Sequence, residues 1–432
     1  MKQHSALHAA LVAVTALALT FSGLFTGPPS ANAATATENE PNNSTATATK
    51  IATNTAMTGA ITNGNDNDYY VFTLSARGYV SLNFVHANVA GQGGKGWSAS
   101  LQNGSSSTYF TSISSDPGQT SVTSPSVGLA AGTYYVHVAP QSAYSPTTSQ
   151  YALTVKYTQT NSWETEFNQS TSQANLINVN EAANGTIPYG NDNDYYVFTI
   201  PIKQFILLTL THANATSNGG SGWRAEILSS SSTRLASVNS GLGQTSVSAS
   251  VISLAAGTYY VHVAPQDGYS PTTMTPYAVT VRTVVPVTFN VNGGKKLTSS
   301  KASKMLVPGS AVGTLPTSTR TGYAFAGWYT AKSGGTKASS STKISQAKTF
   351  YAHWAAKTYT VKFNTNGGKK LASAKASKKV VYASHYGSLP TPSRSGHKFN
   401  GWYTAKSGGK HIISSSKVSI TKTTTMYAHW KK

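Results

Sequence analysis

Internal repetition constrains this chain more than any other feature. The run G-N-D-N-D-Y-Y-V-F at residues 64–72 returns at 190–198, an offset of 126. His86-Ala87-Asn88 returns as His212-Ala213-Asn214, Gly96-Trp97 as Gly222-Trp223, and L-A-A-G-T-Y-Y-V-H-V-A-P-Q at 129–141 as residues 254–266. A second pair has a shorter period. V-x-F-N-x-N-G-G-K-K at 287–296 recurs at 361–370, an offset of 74, and F-x-G-W-Y-T-A-K-S-G-G and Y-A-H-W each occur twice behind it. Repeats at fixed spacing are copies of a folding unit. The expected modules are 34–158 and 159–283, then 286–356 and 357–432, with a junction near Thr283 to Pro286.

Inside the modules the apolar pattern has period two. Tyr70, Phe72 and Leu74 alternate with Tyr69, Val71 and Thr73, and Tyr134, Val136 and Val138 with Tyr135 and His137. Such alternation marks strands with one buried face. Many short strands over about 125 residues predict a β-sandwich. In the short modules Asn292-Gly293-Gly294 and Asn366-Gly367-Gly368 predict a hairpin between strand-like runs in a small sheet with little or no helix. The chain is expected to be all-β: two tandem, jelly-roll-like β-sandwiches, then two small sheet repeats. The absence of cysteine excludes a disulfide scaffold, a thiolate zinc site and a cysteine nucleophile.

The N-terminus is built for export. Lys2 precedes an apolar run from about Ala9 to Phe25, then Gly27-Pro28-Pro29 and the small-residue site Ala31-Asn32-Ala33. This is the layout of a signal peptide spanning 1–33 and cleaved before Ala34. No later segment is apolar enough to span a bilayer, and no sorting signal closes the sequence, so a secreted or wall-associated product is expected.

Eight of the twelve acidic residues fall in matching places. Glu38, Glu40, Asn42 and Asn43 open the first copy, with Asp66 and Asp68 some 26 residues on; Glu164, Glu166 and Asn168 open the second, with Asp192 and Asp194 following. An E-x-E paired with a D-x-D gives an oxygen-rich set suited to a hard cation such as Ca²⁺, in a structural role. The same residues also suit solvated turns. A catalytic carboxylate pair is the third reading, and no nucleophile or cleft motif accompanies it.

E-N-E-P-N-N-S-T-A, D-N-D-Y-Y-V-F and G-T-Y-Y-V-H-V together resemble the bacterial pre-peptidase C-terminal domain, a β-sandwich appended to secreted peptidases. The resemblance covers both long modules. It implies calcium ligands at the entrance Glu-x-Glu-x-Asn and at the Asp before Tyr-Tyr, hence the residues just named. Gln169 departs from the entrance motif. The strand that bears aromatics in collagen-binding members continues here as Ala139-Pro140-Gln141 and Ala264-Pro265-Gln266.

Charge divides the chain in two. Residues 286–432 hold 24 of the 33 Lys and Arg and none of the 12 Asp and Glu. Average composition would put roughly 15 or more acidic residues in such a length. A field of one sign attracts polyanions in a salt-sensitive way. Lys295, Lys296, Lys301 and Lys304 cluster after the first Asn-Gly-Gly, and Lys369, Lys370, Lys375, Lys378 and Lys379 after the second. Outside the cell the expected partner is an anionic envelope polymer of teichoic-acid type or a host glycosaminoglycan, not nucleic acid. A protein or glycan ligand on the sandwiches stays open, as does a basic surface without a ligand.

F-N-x-N-G-G, Gly322-Tyr323-x-Phe325-x-Gly327-Trp328-Tyr329, its counterpart from Gly396 to Tyr403, and the Y-A-H-W endings resemble the Listeria–Bacteroides repeat of internalins. That resemblance implies a β-grasp-like fold, surface exposure and adhesion or spacing without catalysis.

The recurring histidines lack ligand spacing and are read as packing, and the four repeat tryptophans as core. No G-x-S-x-G, H-E-x-x-H or P-loop occurs. The expected function is a non-enzymatic secreted surface or adhesion protein, with accessory, substrate-targeting modules of a secreted hydrolase as the alternative.

Overall fold

The computed structural model describes residues 36–104, 109–188, 192–216, 221–266 and 275–432. The signal-peptide assignment to 1–33 lies outside them. No helix among the described residues is long and apolar enough to cross a membrane.

Each long module is a pair of packed sheets. In the first, Ala36–Thr37, Ala56–Ala60, Gln150–Gln159, Gly78–His86 and Ser121–Thr123 lie side by side, with Val127–Leu129 also on Gly78–His86. The facing sheet runs Thr49–Lys50, Asp68–Leu74, Gly132–Pro140, Trp97–Gln102, Tyr109–Ser115. The second module repeats both sheets, with Asp194–Ile200 and Gly257–Pro265 at the centre of one and Gln204–His212 and Tyr277–Asn290 at the centre of the other. The predicted alternation sets the faces. Tyr70, Phe72 and Leu74 are buried while Thr73 is exposed, and Tyr134, Val136 and Val138 line the same interior. Trp97 and Trp223 fill equivalent places beneath His86 and His212, at ring distances of 4.3 and 4.0 Å. Those histidines also bond Ser115 and Ser240 at 2.7 Å, so they belong to the packing, as read.

The short modules are mixed sheets. In the last one the order is Ser377–Val381, Thr358–Asn364, Thr424–Lys431, Lys398–Tyr403, His411–Ile412, with the first and last long strands parallel at the centre. Strict alternation fails at F-x-G-W, where Phe325 and Trp328, three residues apart, both face the core. A bulge between Phe325 and Gly327 resolves this, and the same irregularity separates Phe399 and Gly401. Gly327 and Gly401 take φ of 127° and 119° there, a region that favours glycine. Trp328 and Trp402 are buried and donate from Nε1 to the Pro316 and Pro390 carbonyls at 2.6 and 2.7 Å.

The structure sharpens two sequence expectations. The Asn-Gly-Gly segments form turns, with positive φ at Asn292 and Gly293 and at Asn366 and Gly367, and the strands on either side of each pair antiparallel, as expected, but across a connection longer than a tight hairpin turn. Strand Ser303–Leu306 begins only nine residues after Gly294, because Lys295 N–H is drawn to the Thr319 carbonyl (2.7 Å) instead. The asparagine amides bridge outward, Asn292 to the Lys332 and Ala352 carbonyls at 3.1 and 3.0 Å. Secondly, the junction near Thr283 to Pro286 lies within one 14-residue strand, Tyr277–Asn290, which runs from one module into the next. Its first part pairs with Gln204–His212 and its last with Ser303–Leu306 and Lys348–Ala356. One backbone thus belongs to two sheets.

Candidate metal centres and basic surface

The entrance of each sandwich crosses from one sheet to the other, and this crossing gathers the carboxylates. Strand Ala36–Thr37 runs parallel to Ala56–Ala60, and Glu38 N–H continues the ladder to Thr58 O at 3.0 Å. Four residues on, Asn42 O accepts from Tyr69 N–H at 3.0 Å, in the opposite sheet. Glu164 to Asn184 (2.9 Å) and Asn168 to Tyr195 (3.0 Å) repeat the crossing in the second copy.

Glu38, Glu40 and Asp68 thereby bring carboxylate oxygens within 4.8 Å of one another, and so do Glu164, Glu166 and Asp194. Glu38 Oε1 accepts from Ala60 N–H (2.7 Å), and Oε2 from Tyr70 OH (2.5 Å) and the Asn42 amide (3.3 Å). Tyr70 meets Tyr151 hydroxyl to hydroxyl at 2.7 Å, and Tyr151 donates to Asp68. In the second copy Glu164 accepts from Thr186 N–H (2.8 Å), Tyr196 OH (2.8 Å) and Asn168 (3.2 Å), and Tyr277 donates to Asp194. The bonds of these four tyrosines to the carboxylates escaped the sequence reading, which placed Tyr70 only on a buried strand face. The repeat of Tyr151 at Tyr277, with Ala-x-Thr-Val behind each, was the available signal.

Of the remaining named residues, Asn43 and Asp66 are spent on loop atoms, whereas Asp192 uses one oxygen so and keeps the other free. Asn43 is exposed and its Oδ1 accepts from Asn67 N–H (2.8 Å). Asp66 accepts from Thr62 N–H and Oγ1, both at 2.7 Å, and Asp192 from Gln169 at 2.6 Å. The middle Asn of each D-N-D is held in turn by a histidine. Asn67 Oδ1 accepts from His137 Nε2 and Asn193 Oδ1 from His262 Nε2, each at 2.8 Å.

What remains unpaired is oxygen. Asn42 Oδ1 and Asp68 Oδ1 in the first cluster have no partner, nor do both Glu166 oxygens, Asn168 Oδ1, Asp192 Oδ2 and Asp194 Oδ1 in the second. Buried polar atoms are normally satisfied. A wholly oxygen, carboxylate-rich donor set with free lone pairs fits a hard cation such as Ca²⁺. Burial, with the Glu38, Asp66 and Glu40 charges adding, pushes Asp68 up to about 8. Burial likewise raises Glu38, Glu164, Glu166, Asp192 and Asp194. Without a counter-charge these groups favour holding protons.

Of the nine named lysines, Lys295, Lys296, Lys301, Lys369, Lys370, Lys375 and Lys379 are exposed. Lys304 and Lys378 are not free surface charges. Lys304 Nζ donates to the Val312 and Thr314 carbonyls, and Lys378 Nζ to Tyr386 O and Ser388 O at 2.7 and 2.8 Å. Each lies opposite an inward-facing valine of the neighbouring strand, Val287 or Val361, so its amine must find acceptors inside. Among the described residues every Lys or Arg ion pair converges on Glu226 of the second sandwich, from Arg224 and Arg234, with His262 Nδ1 3.4 Å from its other oxygen.

Residues 286–353 and 359–429 match the family described as the Listeria-Bacteroides repeat domain. The two rear modules are Listeria–Bacteroides repeats. Internalin H of Listeria monocytogenes is 36% identical over 116 residues, covering 26% of this chain and 20% of that protein. A putative Gly-rich membrane protein of Evansella cellulosilytica is 31% identical over 138 residues, covering 32% of this chain and 15% of that protein. The chain thus spans about a fifth or less of the length of these relatives. The pre-peptidase C-terminal domain of collagenase from Bacillus anthracis aligns at 19% identity and TM-score 0.21, covering 25% of this chain and 94% of that one.

Proposed function

We propose that this chain is an exported bacterial surface protein without catalytic activity, its sandwiches braced by calcium and its Listeria–Bacteroides repeats holding an anionic envelope or matrix polymer. One observation carries the polymer reading. Residues 286–432 set 24 cationic side chains against no carboxylate, and seven of the nine clustered lysines are exposed. Nothing within the repeats neutralises them, so the field points outward. The similarity to internalin H and to putative membrane proteins supports a surface setting. Support for a non-catalytic role comes from the carboxylates, which are wired to tyrosines, amides and backbone rather than to a nucleophile. Zymography of the mature chain showing turnover that an active-site substitution abolishes would overturn it.

Because Tyr277–Asn290 is shared with the second sandwich, polymer binding is best tested on the whole mature chain. It is expected to co-sediment with Gram-positive walls at low salt, to elute at high salt, and to bind weakly to walls stripped of teichoic acid. Replacing Lys295, Lys296, Lys369 and Lys370 by Gln should lower the eluting salt concentration. Retention that ignores salt would contradict the electrostatic account.

Calcium would be held by Glu38, Glu40, Asp68 and Asn42 in the first sandwich and by Glu164, Glu166, Asp194 and Asn168 in the second. It supplies the positive charge that lets those carboxylates ionise together, tying each entrance segment across its two sheets. Since Asp68 is pushed up to about 8, binding at pH 7 should release protons and tighten as pH rises. Calorimetry in buffers of different ionisation enthalpy measures this; identical heats in all buffers would contradict it.

A further inference from the structure

The two candidate cation sites have the same ligands but different neighbours. The segment at 163–167, which carries Glu164 and Glu166, lies against the first sandwich as well as on its own. Glu166 N–H donates to Gly128 O at 3.0 Å, and Thr186 Oγ1, beside Glu164, donates to Ser126 O at 2.6 Å. The Arg77 guanidinium reaches the Trp163 carbonyl. Trp163 stacks on Tyr79 at 4.5 Å and Phe167 on Phe110 at 4.9 Å. Glu166 N–H, the Trp163 carbonyl and the two aromatic rings of this segment therefore serve the first sandwich, while its carboxylates serve the second.

Duplication provides an internal control. Gly128, Tyr79, Phe110 and Arg77 correspond to Ser253, Phe205, Leu235 and Lys203 in the second copy. A Cβ on Gly128 would sit 2.0 Å from the Glu164 carbonyl oxygen, so this contact requires glycine. In the second copy no such segment lies there among the described residues. Ser253 is exposed, and so are Phe205 at 37% and Leu235 at 38%, whereas Phe110 is 6% exposed. The apolar Trp163 and Phe167 stand where the first entrance has Thr37 and Pro41. The side chains this contact uses differ between the copies.

We propose that the second cation site is the joint between the sandwiches: filling it fixes the 163–167 segment, and with it the first sandwich, in one orientation, whereas the first site stabilises only its own module. This rests on the calcium reading above. Both Glu166 carboxylate oxygens and Asp194 Oδ1 lack partners, so with no ion Glu166 has no side-chain bond that holds its end of the segment inward. An ion draws Glu164, Glu166 and Asp194 together and presses the other side of the segment onto Tyr79, Phe110 and Gly128. By linkage, docking then raises the affinity of this site alone.

The test uses the mature chain, whose lack of cysteine permits spin labels at Tyr144→Cys and Thr233→Cys, one on each sandwich. With calcium, pulsed electron–electron resonance should give one narrow distance distribution, and with chelator a broad one. Glu166→Gln should stay broad in calcium; Asp68→Asn should be narrow. Gly128→Ser keeps every ligand and copies the second module's residue, yet it should broaden the distribution and weaken one of two calcium affinities about tenfold. Two bound ions with the same distribution in calcium and chelator would overturn the joint while leaving the calcium reading intact. Failure to bind calcium at all would overturn both. A narrow distribution and unchanged affinities in Gly128→Ser would also overturn the joint.

Discussion

Saturating calcium is expected to raise the melting temperature of the mature chain by about 8 °C. A ligand at a hundred times its dissociation constant contributes about 2.7 kcal/mol to the state that binds it, and for modules of this size each kcal/mol moves the midpoint by roughly 2–8 °C. Asp68→Ala combined with Asp194→Ala should abolish the shift, since these buried carboxylates start the central strand of each site. The chelated protein should show the opposite sign with pH. Between its unfolded value and about 8, folded Asp68 holds a proton that the unfolded chain has released. The metal-free stability it confers is therefore greatest at acid pH and falls as pH rises towards 8. Scanning calorimetry at pH 5.5 and 7.5, with calcium and with chelator, measures both effects. Equal midpoints in calcium and chelator at pH 7.5 would remove the metal sites from the account.

Trp402→Ala is expected to unfold the last repeat. The indole is 1% exposed, lies 4.7 Å from Phe363 and 5.6 Å from Phe399, and its Nε1 satisfies the Pro390 carbonyl. Removing a buried tryptophan costs about 3–5 kcal/mol, and a single core in a module of about 70 residues rarely supplies more than that. Limited trypsin digestion of the full chain should then remove the lysine-rich residues after 357 first. Trp402→Phe should be cut at an intermediate rate. Wild-type resistance in Trp402→Ala would refute the core assignment.

Much of the site was legible because duplication wrote it twice. Glu38, Glu40 and Asp68 recur as Glu164, Glu166 and Asp194, and these six are the carboxylates that converge. Asn43 and Asp66 were named for the same chemistry but bond loop atoms, and Asp192 does so with one oxygen only. Sequence spacing gives no way to tell an oxygen aimed at an ion from one spent on a nearby N–H. The tyrosines were out of reach for another reason: Tyr151 lies 83 residues from Asp68, and period-two alternation says only that it faces inward. Lys304 and Lys378 look in sequence like any other lysine of their cluster, and only the strand register reveals that their amines end among carbonyls.

The residues alone determined that this chain is made of strands, which side of each strand is apolar, that it consists of two kinds of duplicated module, and that carboxylates are confined to the first kind. All of these follow from local spacing and composition, which a one-dimensional reading can count. Tertiary structure alone decided which carboxylates meet, which lysines are consumed internally, that one strand serves both a sandwich and a repeat, and that the second entrance segment is pressed between two sandwiches. Those outcomes depend on which surfaces pack together, and packing joins residues that no sequence interval links.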